Sequence, residues 1–268
     1  MANYGDNHRR FLKSLMAMNN VVAQKKAVEL YCTCRDQGSN EESIAPSQDA
    51  TAEKAISKFI EQINSKIEPL NLSIKLVVCE STNKKFYILH TLSDNELTKT
   101  IAGRQWGRNE RAVLKTVIKA VCKSPSGKVS VSACARECAD LPDKIKRNDV
   151  TKILQKLISQ NWLCEVGDQI YIGPRALAEI KRYLMDEFED QAGTCKLCHE
   201  MTLRGPSCPS KCGVRVHQSC LELYFSKGAS KKCMGCKKEW ALAKGSAVQQ
   251  VEEDSPMEEE ASDDEMDC

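Results

Sequence analysis

Between Cys195 and Cys236 the chain carries seven of its fifteen cysteines, together with His199 and His217. The donors that fall in close pairs run Cys195-x2-Cys198-x9-Cys208-x3-Cys212-x4-His217-x2-Cys220-x12-Cys233-x2-Cys236. Eight donors in four pairs fill two tetrahedra, and thiolate with imidazole suits zinc. All positions are then protein donors, so the two zinc ions expected here are structural, and their binding substitutes for a core the segment is too short to build. Sequential pairing would make two very small beads. Cross-braced pairing gives one site of Cys195, Cys198, His217 and Cys220 and another of Cys208, Cys212, Cys233 and Cys236, and staples the segment into one module. The interleaved arrangement is favoured on that ground. His199 adjoins a ligand without a paired spacing and is left out.

Reading cysteines as ligands rather than disulfides depends on compartment. Residues 1–20 hold no apolar segment ahead of a small-residue cleavage site, and no run approaches a membrane span, so the cytosol or nucleus, with reduced thiols, is expected. Cys134 and Cys138 stand one helical turn apart, and Cys32 and Cys34 two residues apart. Neither has a second pair nearby, and both read as core.

Upstream, hydrophobic periodicity alternates between helix and strand. Residues 8–37 read as two helices, with Phe11, Leu12, Leu15 and Met16 on one face of the first and Val22, Ala27, Leu30 and Tyr31 in the second. Ala55, Ile56, Phe59, Ile60, Ile63 and Ile67 stripe a third. Leu72, Ile74, Leu76 and Val78 then alternate, "STNK" turns the chain, and "KFYILHT" returns as a second strand. The order repeats. Val113, Leu114, Val117, Ile118 and Val121 stripe a helix; a short strand at 128–131 and a helix near 132–140 follow; Val150, Ile153, Leu154, Leu157 and Ile158 stripe another. "WLCEV", the turn Gly167-Asp168 and "QIYIG" form a tight hairpin. Pro174 suits the first turn of one closing helix carrying Leu177, Ile180 and Leu184. The expected fold is α+β and mainly helical: winged-helix domains at 1–102 and 103–188, the two-zinc domain at 189–243, and a tail at 244–268.

The net charge of +2 hides an asymmetry. Residues 245–268 hold ten acidic and no basic side chains, which leaves 39 basic against 27 acidic, or +12, for the rest. The tail cannot bury enough apolar surface to offset its ordering entropy and is expected to be disordered; Ser262, ahead of Asp-Asp-Glu, resembles an acidophilic kinase site. In the second winged-helix domain Lys144, Lys146, Arg147, Lys152 and Lys156 surround the third helix, where weak non-specific contact with DNA phosphates is conceivable. No base-reading pattern marks that helix, and a solvated basic face is the simpler account.

The cross-braced ligand series resembles the RING and PHD-type fingers. Its order, four cysteines, one histidine and three cysteines, is close to the PHD type, but Lys231 stands two residues before the seventh ligand, where PHD fingers carry tryptophan. Together with "VRVHQSCLELYF" and "NWLCEVGDQIYIGPRALAEI", the succession of two winged helices and a variant RING resembles the non-SMC element 1 family of the five/six-type structural-maintenance-of-chromosomes complex. The resemblance covers residues 1 to about 243. It implies a nuclear, chromosome-associated RING-type ubiquitin ligase acting in DNA repair by homologous recombination, partnered by a MAGE-like subunit and a kleisin subunit. Such a ligase holds a charged ubiquitin-conjugating enzyme in a reactive geometry, so catalysis is positioning and no side chain is itself catalytic. The resemblance assigns conjugating-enzyme contact to Leu197 in the first ligand pair and Lys237 after the last. Met234 stands where RING domains tend to carry proline, which points to an activity dependent on the partner. The alternatives are a non-catalytic scaffold whose zinc module binds protein or chromatin, and a winged-helix DNA-binding protein.

Overall fold

The computed structural model describes residues 4–36, 50–92, 106–139, 141, 145–226 and 231–240. The first unit opens with helix α1 (Asp6–Ala17). It ends at Asn19 and Asn20, both left-handed at φ 56° and 66°, a conformation asparagine tolerates better than most residues. The chain leaves this turn extended, as strand β1 (Val21–Ala23), before α2 (Gln24–Asp36) and α3 (Ala50–Ile67). Val22 therefore lies in a strand, opposite Tyr87, and not in the second helix as its periodicity suggested. Met16 also departs from expectation. It is 56% exposed, while Phe11 and Leu15 carry the buried face of α1.

Strands β2 (Leu72–Val78) and β3 (Lys85–Thr91) form a hairpin, and β1 adds to it in the order β1-β3-β2. Three helices closed by such a sheet make the winged-helix arrangement. The register pairs Ile74 with Leu89 and Leu76 with Tyr87, as the alternation in β2 requires. The opposite face is apolar too: Val77 is buried while Leu76 is 39% exposed. The physical reason is that β3 is covered on both sides. Tyr87 and Leu89 join the core under α1 to α3, whereas Ile88, Val21 and Val77 belong to the core of the second unit. A strand buried on both faces loses simple alternation.

The second unit repeats the connectivity: α4 (Arg108–Lys123), β4 (Val129–Ser130), α5 (Val131–Ala139), α6 (Arg147–Ser159), β5 (Leu163–Val166) and β6 (Gln169–Ile172), with sheet order β4-β6-β5. Val113, Leu114, Val117, Ile118 and Val121 on α4 are buried, as are Val150, Leu154 and Leu157 on α6. Gly167 takes φ 61° in the hairpin turn. The closing helix is two helices, α7 (Pro174–Glu179) and α8 (Lys181–Glu187), broken at Ile180. The break lets α7 lie on β2 and β3 of the first unit while Leu184 on α8 stays in the second core.

Cys134 and Cys138 are fully buried in that core, and burial pushes their thiols up to about 12 and about 11. Cys34 is buried and Cys32 half-buried. The junction expected at 102/103 and the acidic tail at 244–268 lie outside the described residues. Among the described residues no helix is long and apolar enough to cross a membrane.

Candidate metal centre

Two local turns of the same kind open and close the third unit. At the first, Cys195 N–H donates to the Glu200 carbonyl at 2.8 Å, His199 N–H donates to the Cys195 carbonyl at 2.9 Å, and His199 sits at φ 61°. At the other, Cys233 N–H donates to Lys238 at 2.8 Å, Lys237 N–H donates to Cys233 at 3.0 Å, and Lys237 sits at φ 61°. Each turn aims two Sγ atoms the same way. His199 and Lys237 are thus the left-handed residues of matched knuckles, which explains in backbone terms why a histidine beside Cys198 is not itself among the clustered donors. The first knuckle joins strands β7 (Gly193–Thr194) and β8 (Met201–Thr202). Cys208 and Cys212 flank a tighter turn with left-handed Lys211 and Gly213. His217 and Cys220 come from the start of α9 (Gln218–Ser226).

The topology gathers these pairs in interleaved fashion. Cys195, Cys198, His217 and Cys220 form one cluster and Cys208, Cys212, Cys233 and Cys236 the other, the donor atoms of each lying within 4.8 Å of one another. Cys208 Sγ is 3.7 Å from Cys236 Sγ, and Cys212 Sγ 3.6 Å from Cys233 Sγ. Thiolates at the zinc–sulfur bond length of about 2.3 Å in a tetrahedron stand about 3.8 Å apart, so the donor set fits zinc. In the first cluster His217 Nδ1 lies 3.2 Å from Cys198 Sγ and 3.8 Å from Cys220 Sγ. Its Nε2 is 3.0 Å from the Met201 carbonyl oxygen, which accepts from the ring N–H. That bond assigns the proton to Nε2 and leaves the Nδ1 lone pair for a metal. Each cluster can therefore hold a zinc ion, whose contribution is to cross-link distant parts of the chain.

Backbone donors also prepare the thiols. Burial raises the Cys195 thiol, but N–H groups of Cys198, His217 and Leu197 outweigh it and bring the group down to about 7. The Val214 N–H holds Cys212 at about 6, whereas burial pushes Cys220 to about 12. Metal binding must displace the protons that remain. Around the donors a small core of Val214, Val216, Leu221 and Trp240 is buried, with Leu197, Phe225 and Met234 packed partly against it.

Leu197 is half-buried and Lys237 exposed. Lys146, just ahead of α6, and Arg147 and Lys152 on it are exposed, whereas Lys156 is half-buried and paired, with Nζ 2.7 Å from Glu110 Oε1 and 5.7 Å from the Trp106 ring centre. Lys144 lies outside the described residues.

One neighbour of the mixed cluster was invisible in the sequence. Glu80, in the β2–β3 loop of the first unit, brings Oε1 to 3.5 Å from His217 Nε2. Its carboxylate accepts from the Thr202 hydroxyl and from Leu203 N–H at 3.1 and 3.2 Å and Arg204 N–H at 3.2 Å. Glu200, on the first knuckle, pairs with Lys75 of β2 at 2.9 Å and Lys181 of α8 at 3.2 Å.

Two winged-helix units carrying a cross-braced module with two closed donor clusters define a RING-like zinc-binding protein. Residues 195–236 match the family described as RING-like domain. Residues 8–180 match the family described as Nse1 non-SMC component of SMC5-6 complex, and the chain belongs to that family. It is 27% identical over 236 residues to the human non-structural maintenance of chromosomes element 1 homolog, covering 88% of this chain and 84% of the human protein. It is 34% identical to the Drosophila melanogaster homolog over 83 residues, covering 31% of this chain and 35% of that protein. A solved chain of an Nse1-Nse3-Nse4 complex superposes with a TM-score of 0.71 at 22% identity, covering 91% of this chain and all of that one, and so shares its fold.

Proposed function

We propose that the chain is a RING-type ubiquitin ligase subunit of the SMC5-6 chromosome-maintenance complex, working in the nucleus in DNA repair by homologous recombination. It is built as winged-helix domains over 1–102 and 103–188, a zinc domain over 189–243 and an acidic tail over 244–268. Cys195, Cys198, His217 and Cys220 ligate one structural zinc and Cys208, Cys212, Cys233 and Cys236 the other. Its partners are a MAGE-like subunit and a kleisin, in keeping with the Nse1-Nse3-Nse4 assembly from which the similar solved chain comes.

The observation that carries this reading is the pair of matched knuckles with a half-buried apolar residue in the first, Leu197, and an exposed cation in the second, Lys237. A conjugating enzyme needs such an apolar contact beside a cation on a rigid frame, and both residues stand on turns fixed by metal ligands. Positioning of the charged enzyme, with no acid or base from this chain, is then the whole catalytic contribution. Met234 is partly buried against the zinc core, so the last ligand pair offers no proline ridge, and activity depends on the assembled complex.

Ubiquitin discharge from a panel of charged conjugating enzymes tests this, using zinc-loaded protein alone and with its MAGE-like partner, beside Leu197→Ala. Partner-stimulated discharge that Leu197→Ala loses, with two zinc ions retained, is the expected result. No discharge from a zinc-replete module would make it a non-catalytic interaction domain.

A further inference from the structure

We propose that Glu80 is an outer-sphere partner of the mixed cysteine–histidine zinc site, through which the first winged-helix unit controls how tightly that metal is held. The inference rests on the ligand assignment above and concerns a residue 137 positions away in sequence from the histidine it serves.

A ligand histidine binds best when its other ring nitrogen is held by an acceptor that fixes the tautomer and makes the ring more basic. His217 Nε2 donates to the Met201 carbonyl at 3.0 Å, and the Glu80 carboxylate lies 3.5 Å from the same nitrogen, where its negative charge polarises the ring. His217 is 5% exposed and the Glu80 side chain 10%, so little water competes. Glu80 is not a chance neighbour. The β2–β3 turn that carries it is closed by Cys79 N–H donating to Lys84 at 2.8 Å and Asn83 N–H donating to Cys79 at 2.8 Å. Its carboxylate is anchored by Thr202, Leu203 and Arg204, immediately after the strand residue whose carbonyl holds the ring. Met201 itself is buried in the core of the second winged-helix unit.

Lys75 and Lys181 grip Glu200 on the same knuckle, so the mixed site is held to both winged-helix units. For the four-cysteine site, the hydrogen bonds found among its cysteine sulfurs and with Gly235 N–H stay inside the module. The two sites therefore differ in a testable way. Among the described residues, hydrogen bonds and ion pairs from outside the module are found at the mixed one, and by linkage whatever disturbs the first unit's turn weakens this metal and not the other.

Cobalt(II) distinguishes the sites, because a three-sulfur, one-nitrogen site and a four-sulfur site have different d–d absorption. Full-length protein loaded with cobalt is titrated with a chelator, in the wild type, in Glu80→Gln, which keeps the side-chain volume, and in Thr202→Val, which removes an anchor without facing the ring. The expected result is a roughly ten- to hundredfold loss of affinity at the mixed site in Glu80→Gln, a smaller loss in Thr202→Val, and an unchanged four-sulfur site that serves as the folding control. Both sites behaving as in the wild type, or both weakening equally, would overturn the proposal. A wild-type chain that takes up fewer than two cobalt ions would instead overturn the ligand assignment, whatever Glu80 does.

Discussion

His217 is used at both ends of its ring, Nδ1 toward three sulfurs and Nε2 toward the Met201 carbonyl. Truncation to alanine removes one of the four clustered donors of the mixed site. His217→Ala should therefore lower the zinc content of purified protein from two equivalents to one or fewer, measured by elemental analysis. Close packing sets a second residue-scale constraint at Gly205. A Cβ there would stand 2.2 Å from the Val216 carbonyl oxygen and 2.6 Å from Thr202 Oγ1, in front of the backbone that leads into His217. Backbone cannot yield as a flexible side chain can. Gly205→Ala should cost at least about 1–3 kcal/mol and appear as zinc release at a lower temperature, read with a chromogenic chelator. The donors were legible because a metal demands residue types at fixed spacing. Gly205 and Glu80 were not, since what they approach is distant in sequence, and neither a glycine nor a glutamate in a turn announces its neighbour.

At the scale of elements, α4 and α6 are tied by one carboxylate. Glu110, in the first turn of α4, accepts from Gly107 N–H at 2.9 Å and from Lys156 Nζ of α6 at 2.7 Å. Burial raises its carboxyl, but these donors outweigh it and hold the group below the usual value. A lowered folded value means that the stabilisation is present above the unfolded value of about 4.3 and is lost as pH falls through the folded one. Glu110→Gln should lower stability at pH 7 by about 0.5–1 kcal/mol, a modest figure because Lys156 is 40% exposed. The gap to the wild type should close below about pH 4 in parallel denaturant titrations. Element order in this unit follows from periodicity alone, and the Gly167-Asp168 hairpin from its turn chemistry. What periodicity missed were the short or doubly covered pieces. Strand β1 has three residues, too few to display a period, and Val77 beside Leu76 makes sense only once a second unit covers the far side of the sheet. The break at Ile180 likewise has no proline or glycine to mark it, because it serves the docking of α7 on the first sheet.

For the whole molecule, the consequence is that two winged helices do not behave as two beads. β3 contributes Tyr87 and Leu89 to one core and Ile88, 0% exposed, to the other. Glu80 and Glu200 extend the same connections to the zinc module. Unfolding of either winged-helix unit must then expose apolar surface of its neighbour, which couples their stabilities. Ile88→Ala leaves a cavity worth about 2–5 kcal/mol in the shared sheet. It should lower the denaturation midpoints of both winged-helix units together. The three tryptophans, Trp106, Trp162 and Trp240, lie outside the first unit, so their fluorescence follows the second unit and the zinc module, while amide hydrogen exchange in α1 and α3 follows the first. Coincident shifts in the two probes are expected, because the substituted residue stands in a first-unit strand and packs into the second unit's core. A loss of protection in α1 and α3 with an unmoved fluorescence transition would mean that the units fold independently and that their contact contributes little to stability.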